Sequence, residues 1–283
     1  MKLISYADFY RDLKTRGVEY AAHRAAELGF DGVEFLHLSA SSRPWDSPNS
    51  AAHMRRVLDA YGLNTACCSL EIDLSASDAE ARIDAAKRLI EDAAVLGAPC
   101  FHHTVVPMLD PAAAVTPYAE LLERVLPYAE QIARQCASYG MCCLYEPQGM
   151  YFNGVEGLGT FYQHISASCN NVGICGDVAN GLFADTSAVD IYNAFLPAIR
   201  HVHLKDYRVS AMPPEAGRAY RTRGGAYLQA CALGEGVTDL SHCFQALRQA
   251  HYSGAFSFEF EGTDEQIQRA MELVRQLYKE AEQ

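Results

Sequence analysis

The sequence predicts an α/β fold in the form of a single (β/α)8 barrel, on the basis of three observations. Short apolar and β-branched runs alternate with longer amphipathic stretches, which indicates parallel strands joined by right-handed crossovers. Eight strand-then-helix units fit into about 250 residues, the usual length of such a barrel. No GxGxxG or P-loop pattern follows a strand, and this disfavours the doubly wound open sheet that is the alternative.

The individual elements follow from these two kinds of run. The predicted strands are 2–6, 32–37, 64–70, 99–105, 141–146, 171–177, 200–206 and 255–260. The predicted helices are 18–28, 50–61, 78–96, 115–139, 157–168, 187–196, 239–250 and 264–281. Several helices end in a glycine just before the next strand, as in ELGF, AYGL, VLGA and SYGM, and this is typical of a helix C-terminal cap.

The domain organisation is expected to be one barrel domain over residues 1–283. No linker or low-complexity tract divides the chain. The irregular segment is 207–236, a connection rich in Pro, Gly and Arg that follows the seventh strand. Connections this long in compact domains are usually functional or disordered, and this one is expected on the face where barrels carry their active sites.

Composition and charge exclude several classes of protein. With 49% hydrophobic and 20% charged residues the chain is globular, and no run approaches the ~20 apolar residues of a membrane span. The first residues reach charges before an apolar stretch forms, so we expect no signal peptide and a cytoplasmic protein. The net charge of −12 argues against a broad nucleic-acid-binding surface. The ten cysteines form no CxxC pair and are expected to be small buried side chains.

Polar residues at the ends of the last four predicted strands carry the expected chemistry. They are Glu146, Asp177, His203 and Glu259. Alternation along the last strand places Phe256 and Phe258 toward the helices and Glu259 toward the lumen. Three carboxylates and an imidazole that converge in a low dielectric need a cation to compensate them. We therefore expect one divalent metal ion, with Mn or Mg favoured by the oxygen-rich ligands and Zn or Co as alternatives.

A family resemblance adds to this interpretation. The runs LGFDGVEF, LYEPQG, VGICGDVAN, RHVHLKD, GEGVTDL and FSFEFEG, in that order, resemble the xylose-isomerase-like TIM-barrel superfamily. That group contains sugar isomerases and epimerases, hydroxypyruvate isomerase, inosose dehydratases and the endonuclease IV class of abasic-site nucleases. The resemblance implies that Glu146, Asp177, His203 and Glu259 hold one divalent ion. It also implies that Glu146 and Glu259 move a proton on and off the carbon beside a substrate carbonyl.

The chain departs from two subgroups of that superfamily. Ketose 3-epimerases usually carry a substrate-contacting His where this chain has Asn180, and a Glu where it has Phe152. The additional His and Asp ligands of a trinuclear zinc nuclease are not evident either. These departures place a 3-epimerase of that type and a DNA nuclease in doubt.

The expected function is a divalent-metal-dependent isomerase or epimerase acting on a sugar or sugar derivative. A metal-dependent lyase of the inosose-dehydratase or C-glycoside-cleaving type is the first alternative. An abasic-site endonuclease-like protein or a non-catalytic binding protein is the second. The expected partner is a small-molecule carbohydrate, and neither a nucleic acid nor a membrane is expected. Whether the protein forms a homo-oligomer is left open.

Further residues are expected to contact the substrate: His103, Gln148, Asn180, Lys205 and Arg208. His102 and His103 are consecutive, so alternation turns only one of them to the lumen, and His103 is favoured because it lies nearer the strand end. Glu34 also points inward, either as the partner of a lumen cation or as a substrate contact.

The segment 207–236 and the loop after the second strand add two further hypotheses. The first holds four arginines, Arg208, Arg218, Arg221 and Arg223, which are suited to an anionic substrate group unless the loop is simply solvated. Trp45, in the second loop, is expected to cover the site or to anchor its own loop.

Overall fold

The computed structural model describes residues 1–38 and 50–281. Its strands are β1 (Lys2–Ser5), β2 (Gly32–His37), β3 (Asn64–Leu70), β4 (Cys100–His103), β5 (Cys142–Tyr145), β6 (Val172–Cys175), β7 (Ile199–Leu204), β8 (Asp206–Ser210), β9 (Tyr220–Arg221), β10 (Tyr227–Cys231) and β11 (Ala255–Phe258). Strands β1 to β7 pair in parallel in chain order, and β11 joins β7 to β1 to close the barrel. The predicted (β/α)8 TIM barrel is therefore confirmed.

The helices follow the barrel strands as the periodicity predicts, with one additional helix, α1, after β1. They are α1 (Ala7–Arg16), α2 (Val18–Leu28), α3 (Ala51–Ala60), α4 (Ala79–Leu96), α5 (Tyr118–Ser138), α6 (Gly154–Ser168), α7 (Ala188–Phe195), α8 (Leu240–Gln249) and α9 (Asp264–Glu280). Among the described helices none is both long and apolar enough to cross a bilayer.

Helix α1 is an element that the sequence pattern did not predict. Two of its four buried positions are carboxylates, Asp8 and Asp12, so its apolar face is interrupted. Arg24 of α2 compensates both, with Nη1 at 3.0 Å from Asp8 and 2.9 Å from Asp12. Burial acts to lower the pKa of Arg24, but Asp264, Asp8 and Asp12 together raise it.

The segment 207–236 differs from the expected loop. Strands β8, β10 and β9 form a three-stranded antiparallel sheet outside the barrel. Its two ends meet at Asp206, whose carboxylate accepts hydrogen bonds from the backbone N–H groups of Tyr207, Gly234, Gly236 and Thr238. A side chain at Gly236 would collide with this carboxylate, because its Cβ would lie 2.2 Å from Asp206 Oδ1.

The main core lies between the strands and the helices, and a second apolar cluster fills the lumen. Phe256 and Phe258 pack outward as predicted, and Phe256 stacks on Phe244 of α8 at 5.2 Å between ring centroids. In the lumen, Cys67, Leu144 and Cys175 are buried together, with Cys100 and Cys142 packed against them. The ten cysteines are free thiols, and they serve as small apolar side chains here.

Candidate functional site

The polar end of the barrel lumen brings together the four residues that the strand ends predict. Glu146 and Asp177 follow β5 and β6, His203 lies in β7, and Glu259 follows β11. These four strands are neighbours in the barrel, so their carboxyl ends converge. One ligand atom from each residue lies within 4.8 Å of the others. We call Glu146, Asp177, His203 and Glu259 the four-residue cluster.

The geometry of the four-residue cluster centres on one ring nitrogen. Nδ1 of His203 lies 3.1 Å from Glu146 Oε2 and 3.0 Å from Glu259 Oε2. Asp177 uses Oδ1 to accept hydrogen bonds from the backbone N–H groups of Ala179 and Asn180, at 2.8 and 2.6 Å. Its second oxygen, Oδ2, is thereby left facing the lumen.

The donor set fits a divalent cation. Among the described residues, no donor is aligned for a hydrogen bond with Asp177 Oδ2 or Glu259 Oε2, although both atoms are buried and Lys205 Nζ and His203 Nδ1 lie within 3.1 Å of them. Burial raises the pKa of Asp177 to about 6, against the lowering effect of Lys205. Carboxylate oxygens with one imidazole are ligands that a hard divalent ion accepts. The donor atoms of the cluster are therefore of the kind that such an ion prefers.

Lys205 partly compensates the carboxylates. Its Nζ donates hydrogen bonds to Glu259 Oε1 at 2.7 Å and Asn180 Oδ1 at 3.1 Å, and it lies 3.1 Å from Asp177 Oδ2. Burial acts to lower the pKa of Lys205, but Asp177 and Glu259 raise it well above the usual value. The ammonium group is therefore a permanent positive charge at the edge of the cluster.

Glu34 lies beneath the cluster and is fully buried. Its Oε1 is 2.5 Å from Ser69 Oγ and 3.1 Å from His203 Nε2. Its Oε2 is 2.5 Å from Ser257 Oγ and 2.8 Å from His201 Nε2. Burial would raise the pKa of Glu34, yet His203 and His201 hold it well below the usual value. The structure thus makes Glu34 a partner of imidazoles and hydroxyls.

A cavity of about 650 Å³ opens onto the cluster. Lys205 and Glu259 form its inner end, and Tyr6, Tyr10 and Tyr207 supply aromatic walls. Tyr6 also packs on His203, with 5.0 Å between the ring centroids. Residues of β10 and its flanks form another side, so the antiparallel sheet builds part of the wall. The volume suits a ligand of small-molecule size.

Comparison with known proteins gives the family. The model of the xylose isomerase-like TIM barrel family matches residues 22–277. The chain belongs to this family. Inosose dehydratase from Geobacillus thermodenitrificans (strain NG80-2) is 32% identical over 96 residues, which is 32% of this chain and 30% of that protein. The chain is therefore matched over less than a third of that relative's length.

Solved structures of the same superfamily share the architecture. D-allulose 3-epimerase from Methylomonas sp. superposes with a TM-score of 0.74 and 18% identity, over 98% of each chain. A xylose isomerase-like TIM barrel protein from Mycobacterium smegmatis, in complex with magnesium, gives 0.73 and 17%, over 99% of this chain and 97% of that one. At these identities the likeness shows the fold.

Within this xylose isomerase-like barrel, the expectation for the two consecutive histidines is corrected. His102, not His103, turns toward the cluster: its Nε2 lies 3.5 Å from Glu146 Oε1 and its Nδ1 3.0 Å from Ser69 Oγ. His103 faces outward, donates from Nδ1 to the Thr104 carbonyl at 2.8 Å and packs on Tyr145. Cys100 packs in the lumen cluster, and a period of two from Cys100 selects His102.

The remaining expected contacts are only partly assembled. Asn180 borders the cluster through Lys205, and Gln148 shares a small cavity with Glu146. Arg208 lines the cavity of about 650 Å³. Its guanidinium group is neutralised by Glu235 at 2.6 Å in an exposed ion pair.

The four arginines of 207–236 do not converge. Arg218 lies over the ring of Tyr220, and Arg223 donates to the Met150 carbonyl at another cavity. The structure therefore gives no support to an anion site made of all four. Trp45 lies outside the described residues.

Proposed function

We propose that this chain is a divalent-metal-dependent enzyme that isomerises or epimerises a sugar or sugar derivative by moving a proton beside a carbonyl. The observation that carries the proposal is the four-residue cluster, with ligand atoms within 4.8 Å of one another at the inner end of a cavity of about 650 Å³. Family membership and the fold shared with an epimerase and a magnesium complex support it.

Glu146, Asp177 Oδ2, His203 Nδ1 and Glu259 would hold the ion, with Mn or Mg favoured and Zn or Co as alternatives. When bound, the ion polarises a substrate carbonyl and orients a neighbouring oxygen. The surrounding barrel wall keeps these side chains in place before substrate arrives, which lowers the reorganisation needed during the reaction.

Glu146 and Glu259 are proposed as the pair that removes and returns the proton. They follow β5 and β11, with β6 and β7 between them, so they reach the substrate from two sides. Glu146 is buried, whereas the Glu259 side chain is 26% exposed toward the cavity. Two carboxylates in unlike environments can serve in turn as acid and base.

Lys205, Asn180, Gln148 and Arg208 are proposed as substrate contacts. Lys205 is the strongest candidate, because its ammonium group lies at the inner end of the cavity and can donate to a developing negative oxygen. Asn180 Nδ2 has no hydrogen-bond partner among the described residues, although it is buried. A substrate hydroxyl would satisfy it.

A metal-dependent lyase is the second candidate function. The similarity to inosose dehydratase over 96 residues favours it. The same proton abstraction would be followed by expulsion of a hydroxide or another group from the next carbon. The two reactions differ in their products, because only the lyase releases water or an aglycone.

The test is NMR of ketoses and cyclitols incubated with metal-loaded protein in heavy water. We expect deuterium on the carbon next to the carbonyl. Glu146→Gln and Glu259→Gln should each reduce that exchange by ~10²-fold or more, the usual contribution of a positioned acid or base. Glu261→Gln is the matched control, since Glu261 lines the same cavity two residues beyond Glu259.

Metal content is measured in the same samples. Wild type should hold about one divalent ion per chain, and Asp177→Ala or His203→Ala should lose it because a ligand is removed. Product formed without solvent deuterium would favour a hydride shift over the glutamate pair. Exchange that survives in both metal-loaded Glu→Gln variants would place the base elsewhere.

A further inference from the structure

The Glu34 carboxylate is saturated with hydrogen-bond partners. Four polar atoms surround its two oxygens, two at each: Ser69 Oγ and His203 Nε2 at Oε1, Ser257 Oγ and His201 Nε2 at Oε2. An ionised carboxylate only accepts hydrogen bonds and offers about four lone-pair sites. Each of the four atoms must therefore carry a proton, and the His201 Nε2–H is shared between Glu34 Oε2 and Ser257 Oγ, the latter at 2.9 Å.

The donor count places a proton on one nitrogen of the His203 ring. Nε2 of His203 must carry a proton, because it faces Glu34 Oε1. Without an ion, Nδ1 also faces two carboxylate oxygens and can donate to them. A bound ion would take the place of a proton at Nδ1, because a ligating imidazole is neutral. That nitrogen, Nδ1, lies at the centre of the four-residue cluster.

We propose that Glu34 is a positioning residue that holds the Nε2–H tautomer of His203, so that Nδ1 presents its lone pair to the divalent ion. The inference rests on the proposed metal-dependent function. A ligating histidine commonly donates its second ring N–H to a carboxylate, which fixes the ring orientation and makes the ligand more basic. Here the carboxylate comes from β2, on a part of the barrel wall that supplies none of the four cluster residues.

The same count extends to His102. Ser69 has one hydroxyl proton, which it donates in a hydrogen bond to Glu34 Oε1 at 2.5 Å. Ser69 Oγ must then accept from His102 Nδ1–H at 3.0 Å, which leaves His102 Nε2 bare and directed at Glu146. One buried carboxylate thus sets the proton positions of the lumen-facing histidines His102, His201 and His203.

The test compares ion binding by wild type, Glu34→Gln and Ser257→Ala, using Mg²⁺ and Mn²⁺ alone in calorimetry. Glutamine keeps the size but leaves one acceptor oxygen, so an amide N–H₂ faces two of the four donors. We expect Glu34→Gln to lose about 10–100-fold in affinity, the usual effect of removing such a partner. Ser257→Ala is the matched control, because it removes one donor and leaves the Glu34–His203 bond in place. It should change the affinity far less.

A second measurement reads the tautomer directly and needs no variant. In Mg²⁺-loaded wild type with ¹⁵N-labelled histidine, His203 should show a protonated Nε2 and an unprotonated Nδ1, assigned by comparison with His203→Gln. Equal affinities of wild type and Glu34→Gln would overturn the positioning role while the metal site stands. A proton on Nδ1 with the ion bound would overturn the positioning role and also remove His203 from the ligand set. If wild type binds neither ion, nor Zn²⁺ or Co²⁺ in the same titration, the proposed function fails and the inference falls with it.

Discussion

Replacement of Lys205 by methionine tests whether its ammonium group compensates the cluster carboxylates in the ion-free protein. Methionine keeps most of the stem but removes the charge that lies 2.7 Å from Glu259 Oε1 and 3.1 Å from Asp177 Oδ2. Breaking a buried ion pair on one side usually costs about 3–5 kcal/mol, because the other charge is left uncompensated. The Glu259 side chain is 26% exposed, so solvent screens part of the loss and the lower end, ~3 kcal/mol, applies.

For a chain of this length ~3 kcal/mol corresponds to a Tm lower by roughly 6 °C. Scanning calorimetry in the presence of a chelator measures this. Lys87→Met is the control, since the contacts of Lys87 with Asp84 at 3.4 Å and Gln131 at 3.5 Å are exposed. A divalent ion at about 100 times its Kd adds about 2.7 kcal/mol and should recover most of the loss. An ion-free Lys205→Met protein as stable as wild type would refute the compensation argument.

Two further substitutions test the walls of the site. Arg208→Ala should raise KM for each accepted substrate by no more than about fivefold, because the Arg208 side chain is exposed and already paired with Glu235, so its contact with substrate should contribute under ~1 kcal/mol. A larger rise confined to anionic substrates in steady-state assays would assign Arg208 to an anionic group. Gly149→Ala should lower Tm more than Gly140→Ala. Both glycines have φ +70°, a conformation that costs alanine about 1–2 kcal/mol. Of the two, only Gly149 would bring its new Cβ against a backbone atom, the carbonyl oxygen of Val106 at 2.4 Å. Equal losses in thermal melts would show that the contact adds nothing.

Most of the barrel could be predicted from sequence because periodicity and glycine caps are local signals. Helix α1 could not be predicted from the sequence pattern, because Asp8 and Asp12 occupy buried positions and only the tertiary contact with Arg24 explains them. The antiparallel sheet could not be predicted either, because β8 and β10 have five residues each and β9 has two. Strands that short rely on one another and on Asp206 more than on a hydrophobic pattern.

The four-residue cluster was predictable because barrel strands end on one rim, so four strand-end residues must converge. The lumen-facing histidine of β4 is His102 and not His103, because Cys100 points inward and alternate residues of a strand share a face. Distance to the end of the strand does not decide it. The partners of Glu34 could not be read from sequence at all. They come from β3, β7 and β11, and a shared carboxylate among them appears only when the barrel closes.

The closure of the antiparallel sheet at Asp206 makes one wall of the cavity structurally independent of the barrel that carries the four-residue cluster. Because one carboxylate binds N–H groups at both ends of the excursion, the barrel spans the same short gap whatever lies between Tyr207 and Gly234. Insertions or deletions there reshape one wall of the cavity and leave the distance from β7 to α8 unchanged. Evolution can therefore exchange this wall of the cavity while His203, three positions before Asp206, keeps its place in the four-residue cluster.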